Sequence, residues 1–119
     1  MEFYYGDTDR DVLILRADGG LDSHNSGQFV EDLQRLVEAG ARKLVVDCAR
    51  LGYISSVGIA TLIRMHKRLA DHGGNVKLAA VGPPLFRLLD ITRLNQVFHI
   101  YPSVEQAVAA FRSEDTREI

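Results

Sequence analysis

Two adjacent hydroxyls, Ser55 and Ser56, followed by Val57 and Gly58, stand where an apolar run gives way to a helical pattern. The first backbone N–H groups of a helix have no intrahelical partner, so an oxygen or an anion placed there finds donors and a favourable dipole. A serine at that point serves as a cap or as an acceptor for a phosphoryl group. Upstream, Asp22 and Ser23 follow Gly19-Gly20-Leu21 at another strand-to-helix break. Asp47, closing the run Leu44 to Asp47, reads as a structural carboxylate at a strand end. His66 reads as a core histidine with one partner, and His24, His72 and His99 are too scattered for a metal site. No Gly-x-Ser-x-Gly elbow surrounds Ser56, because position 54 is Ile; only the Ser56-Val57-Gly58 half is present. Neither a Gly-x-Gly-x-x-Gly nor a Walker A sequence occurs, so no catalytic residue and no cofactor is proposed.

These residues need elements to position them, and hydrophobic periodicity supplies those elements. Phe3 to Tyr5 and Asp11 to Arg16 read as two short strands, joined by residues 6–10 in an antiparallel pair. Gly19-Gly20 breaks the second strand. Asp22 or Ser23 then caps a helix that places Phe29, Leu33, Leu36 and Val37 on one face, with Gly40 ending it. Lys43 to Cys48 and Asn75 to Val81 are near-continuous apolar runs, the pattern of strands covered on both faces. Between them, the spacing predicts a helix over Ser56 to Asp71. Its apolar stripe is Ile59, Leu62, Ile63, His66, Leu69 and Ala70; Thr61, Arg64, Lys67, Arg68 and Asp71 face away. Pro83-Pro84 opens a short helix with Leu85, Leu88 and Leu89 inward. Phe98 to Tyr101 is a last strand, and Ser103-Val-Glu-Gln106 is a capping box for a helix burying Val104, Ala107, Val108 and Phe111. The polar residues after Arg112 are expected to fray.

The order β-β-α-β-α-β-α-β-α makes each strand–helix–strand unit a right-handed crossover, and so predicts an α/β fold. Its sheet is mostly parallel, with an antiparallel edge strand and about four helices. At 119 residues the chain has the size of one domain, residues 1–119, with a core over 3–112 and a tail over 113–119. The composition is 46% hydrophobic and 25% charged with a net charge of −2, which suggests neither disorder nor a surface that coats nucleic acid. A single cysteine, Cys48, lies in an apolar strand as a small buried hydrophobe and forms no internal disulfide, which fits a reducing compartment. No apolar run reaches membrane-spanning length, and the N-terminus lacks the pattern of a secretory leader. Both features predict a cytoplasmic protein that does not insert into a membrane.

In open α/β sheets, ligands and partners collect beyond the carboxyl ends of the strands, where Asp22 and the Ser55-Ser56 pair both fall. Here the chain resembles the STAS domains, and within them the anti-sigma factor antagonists of partner-switching systems. The resemblance is carried by Gly-Gly-Leu-Asp (Gly19 to Asp22), Leu-Val-Val-Asp (Leu44 to Asp47) and Tyr-Ile-Ser-Ser-Val-Gly-Ile (Tyr53 to Ile59). Gly73-Gly74 before a strand and Ser-Val-Glu-Gln-Ala (Ser103 to Ala107) extend it to nearly the whole chain. The family motif runs Asp-Ser-Ser/Ala-Gly-Leu, and its first serine, the phosphoacceptor, falls on Ser56. Ser55 takes the Asp position, Val57 stands where Ser or Ala is common, and Ile59 replaces Leu.

The resemblance implies a binding module and kinase substrate, not an enzyme. In its unphosphorylated form such a protein binds an anti-sigma factor that is also a serine kinase of GHKL type, and so frees a sigma factor. Phosphorylation of Ser56 releases it, and a PP2C-type phosphatase resets the cycle. The partner-binding surface implied is Asp22, Ser23, Ser55, Ser56, Val57 and Gly58. Some members of the family are instead non-phosphorylated scaffolds or subunits associated with transporters. A phosphoaspartate receiver using Asp47 fits poorly, since no acidic pair follows the first parallel strand and no lysine flanks Phe98 to Tyr101.

Overall fold

The apolar runs pair side by side in the order in which the chain makes them. The computed structural model describes residues 2–5 and 12–117, and its strands form one five-stranded sheet in the order β1-β2-β3-β4-β5. These are β1 (Glu2–Tyr5), β2 (Val12–Leu21), β3 (Lys43–Ile54), β4 (Asn75–Ala79) and β5 (His99–Tyr101). β1 runs antiparallel to β2 and every other neighbouring pair is parallel, as the alternation of runs predicts. The expected connecting loop, residues 6–10, and Asp11 lie outside the described residues.

Successive parallel strands always step the same way across this sheet, so right-handed crossovers place their helices on one face. Those helices are α1 (Ser26–Glu38), α2 (Ser56–Ala70) and α3 (Pro83–Ile91). The larger core lies beneath them, joining Phe29, Leu33, Leu62, Met65, Leu69 and Leu89 to strand residues such as Leu44, Val46 and Leu78. A fourth helix, α4 (Val104–Arg117), covers the opposite face, where Ala107 and Phe111 are buried against Val12, Ile14, Val45 and Ala79. α4 starts as expected, with the Ser103 hydroxyl accepting from the Gln106 N–H at 3.2 Å. Its helical backbone continues to Arg117 rather than fraying after Arg112, because adding residues to a helix already nucleated by packing costs little.

α1 and α2 end alike. The Ala41 N–H reaches back to the Leu36 carbonyl at 2.9 Å and the Gly74 N–H to the Leu69 carbonyl at 2.7 Å, each across a glycine with positive φ, Gly40 and Gly73. This is the Schellman arrangement, which satisfies the last carbonyls of a helix and turns the chain back toward the sheet.

Several element boundaries differ from expectation, each for a local reason. β2 does not break at Gly19-Gly20 but continues to Leu21, absorbing two register shifts against β3 on the way. β3 likewise runs past Cys48 to Ile54, because the extended end of β2 pairs with Arg50, Leu51, Tyr53 and Ile54. β4 stops at Ala79 instead of Val81, where Ala80 adopts φ 55°. α2 is turned about its axis relative to expectation: Thr61 and Met65 are buried with Leu62 and Leu69, Ala70 is exposed, and His66 is half-buried. Thr61 tolerates burial because its hydroxyl donates to the Val57 carbonyl at 2.8 Å, leaving its methyl group to pack.

Candidate functional site

Extension of β2 and β3 to Leu21 and Ile54 carries two strand ends to the same spot, and the site is built where they stop. β3 passes into α2 through one residue, Ser55, whose extended backbone (φ −90°, ψ 173°) makes it the flanking cap. Its hydroxyl accepts from the Gly58 N–H at 3.1 Å and lies 3.5 Å from the Leu21 carbonyl, to which it donates. The Ser55 N–H donates to the same carbonyl at 3.0 Å. Ser55 is thus the cap and also ties the start of α2 to the end of β2.

Capping by Ser55 leaves Ser56 without that duty. Ser56 is the first helical residue, exposed, and its hydroxyl makes no hydrogen bond among the described residues. Val57 beside it is 40% exposed. An oxygen so placed, outside the helix barrel and next to first-turn N–H groups, is accessible to a phosphoryl donor, and the resulting anion meets the positive end of the helix.

Gly58, the last residue of the implied partner-binding surface, also meets a steric demand inside the fold. It is buried, and a Cβ built on it would lie 2.3 Å from the Leu21 carbonyl oxygen and 2.8 Å from the Ile54 side chain. The close approach that glycine permits is therefore to its own chain, pressing the first turn of α2 onto the end of β2.

Asp22 and Ser23 follow directly from Leu21, so the Ser55 to Leu21 bonds set the two stretches side by side. Asp22 does not cap α1, however. Its Oδ1 accepts from the His24 N–H at 2.9 Å, closing a local turn, and α1 begins only at Ser26 after Asn25. Asn25 clamps the turn: its Oδ1 accepts from the Asp22 N–H at 3.0 Å and its Nδ2 donates to the Gly20 carbonyl at 2.7 Å. Ser23 and His24 are exposed at the tip. Sequence reasoning did not single out Asn25; the signal was an asparagine three residues after Asp22, a spacing at which a carboxamide bridges a turn.

The other candidates fall elsewhere. Asp47 lies within β3 rather than at its end, and its Oδ1 accepts from the Ala49 N–H at 3.1 Å. Cys48 is buried, and burial, aided by the Asp47 carboxylate, pushes its thiol up to about 12, far from a reactive thiolate. His66 stacks edge-on against Phe98 with ring centroids 5.4 Å apart, and burial followed by the proximity of His99 holds its imidazole below the usual range. Lys77, which sequence reasoning absorbed into an apolar run, is wholly buried under α4, its ammonium 4.6 Å from the Phe111 ring centroid and 3.5 Å from His99 Nδ1. Among the described residues no cluster of three His, Cys, Asp or Glu side chains is placed to hold a metal ion.

A pattern specific to one family, the STAS domain, matches residues 7–107. The chain belongs to the STAS domain family. It is 31% identical over 102 residues to BtrV of Bordetella bronchiseptica, a candidate anti-sigma factor antagonist, across 86% of this chain and 88% of that protein. It is 28% identical over 100 residues to the anti-sigma F factor antagonist of Paenibacillus polymyxa, across 83% and 86% of the two chains. Among solved structures, a candidate anti-sigma factor antagonist from Thermotoga maritima superposes with a TM-score of 0.84 at 21% identity over 93% of each chain, which bears on the fold. The STAS fold accounts for the mixed sheet, and the family match spans the Ser55-Ser56 joint.

Proposed function

We propose that this STAS domain is an anti-sigma factor antagonist in a partner-switching system. Unphosphorylated, it binds an anti-sigma factor that is also a GHKL-type serine kinase; phosphorylated on Ser56, it is released, and a PP2C-type phosphatase restores it. The observation that carries this reading is the exposed, unbonded Ser56 hydroxyl at the first position of α2, relieved of capping by Ser55. The antagonist names of its relatives point the same way. The chain acts as a binding module and as a substrate, and the cytoplasm is where such partners would meet it. Among the described residues no helix is long and apolar enough to cross a membrane.

The switch follows from comparing two magnitudes. A phosphate on Ser56 adds about −1.5 to −2 charge at pH 7. At the exposed N-terminus of α2 this is tolerated or stabilising by roughly 0.3–1 kcal/mol. Within a docked interface the same anion is stripped of water, and an unpaired buried charge costs on the order of 3–5 kcal/mol. The second effect dominates, so the fold persists while the complex dissociates. Asp22, Ser23, Ser55 and Val57 form the surrounding contact edge, with Gly58 contributing by holding the helix start against β2.

Incubation with the kinase partner and ATP, followed by peptide mapping, tests the proposal. Acid-stable phosphate on Ser56, absent from Ser56→Ala, is the expected result, together with at least a hundredfold loss of partner affinity in Ser56→Asp. Binding without any label would instead favour a STAS scaffold or a transporter-associated subunit. The neutral Ser55 cap, which puts no carboxylate beside the acceptor, is the feature that favours that second reading.

A further inference from the structure

We infer that the exposed ring of Tyr53, with the recess beside it, is the apolar half of the surface that receives the anti-sigma partner, seating an aliphatic side chain of that protein. This inference rests on the proposed function. Tyr53 is 59% exposed near the end of β3. Gly20 is its register partner on β2, and a Cβ built there would come within 3.1 Å of Tyr53 Cδ1, so the glycine lets the ring lie down on the neighbouring strand. One side of the ring is backed by the sheet and the other is open. Next to it, Leu51, Ile54, Pro84 and Leu88 help line a recess of about 220 Å³ between the end of β3 and α3.

Position and size connect this patch to the switch. Tyr53 precedes Ser56 by three residues, so their Cα atoms are at most about 11 Å apart. A stable complex buries about 800 Å² on each partner, a disc roughly 16 Å in radius. An interface centred on Ser56 therefore covers Tyr53. The recess lining carries no charged side chain, so a charged occupant would lose its hydration without gaining a counter-ion, whereas an aliphatic one releases water from both surfaces. A ring that rests on the neighbouring strand and is open on the other side offers a large amphipathic surface for burial, as tyrosines at interface centres do. The surface then divides its tasks: Tyr53 supplies affinity irrespective of phosphorylation, and Ser56 supplies the switch.

The test is titration calorimetry of the purified full chain against the anti-sigma protein that binds wild type, using Tyr53→Ala, Tyr53→Phe and Ser56→Asp, with thermal melts of each. The expected result is a loss of about thirtyfold in affinity for Tyr53→Ala. Tyr53→Phe should bind within threefold of wild type, and neither substitution should shift the melt. Should Tyr53→Ala fold poorly, Tyr53→Lys, whose stem still covers Gly20, is to show the same loss. A Tyr53→Ala variant that binds within threefold of wild type, while Ser56→Asp still abolishes binding, overturns this inference and leaves the proposed function standing. Wild-type affinity in Ser56→Asp overturns the proposed function instead. A dimer of the chain alone that Tyr53→Ala dissolves would reassign the patch to a second copy, and also overturns the inference.

Discussion

At the scale of single residues, the site depends on one carbonyl. Leu21 O accepts from the Ser55 N–H and hydroxyl and leaves no space for a side chain on Gly58. Gly58→Ala is therefore expected to be destabilising by about 2 kcal/mol or more, since the added methyl overlaps backbone that cannot move aside and must push α2 off the sheet. Urea denaturation checks this, and a midpoint unchanged from wild type would show that the helix start is not so constrained. The serine pair was legible in the sequence as a helix start, because hydroxyls before an apolar periodic run mark that boundary. Which neighbours it would meet was not. The Leu21 carbonyl, the Asn25 clamp and the rotation that buries Thr61 arise from contacts between segments, and sequence spacing records only contacts within one.

At the scale of elements, alternation of apolar runs and amphipathic stretches was enough to order the strands and helices and to give the antiparallel edge. Strand ends were harder to read because glycine and polar residues usually signal a turn, yet Gly19, Gly20 and Gly52 here lie within paired strands. The ladder between β2 and β3 outweighs the weak strand preference of those residues. In α2, His66 lies against Phe98, and its Nδ1 is buried without a hydrogen-bond partner. Its folded-state affinity for protons is below the ordinary 6.5, so the unfolded chain takes up more protons as pH falls. Stability from this group is present above pH 6.5 and is lost as the pH drops through the depressed folded value. The melting temperature should accordingly fall on acidification below 6.5, and His66→Gln should flatten that dependence between pH 7 and 5. An unchanged slope in the variant would assign the acid sensitivity to other groups.

At the scale of the molecule, the sheet order separates two environments. Three helices and the larger core lie on one face, α4 with Lys77 and its aromatic neighbours on the other, and the Ser55-Ser56 joint stands at the carboxyl end of the strands. A charge added to Ser56 meets solvent and the start of α2 without entering either core. Stoichiometric phosphorylation is thus expected to change the free energy of unfolding by no more than about 1 kcal/mol, measured by denaturant titration of both forms. A larger loss would mean that the modification acts by unfolding the domain rather than by repelling its partner. The shared Leu21 carbonyl also gives the protein internal reporters. The Ser55 amide proton is donated to Leu21 and the Gly58 amide proton to the Ser55 hydroxyl, so both should exchange slowly with deuterated solvent. Their exchange rates, followed by magnetic resonance before and after modification, would show at atomic resolution whether the hinge between strand and helix stays shut while the surface around it changes sign.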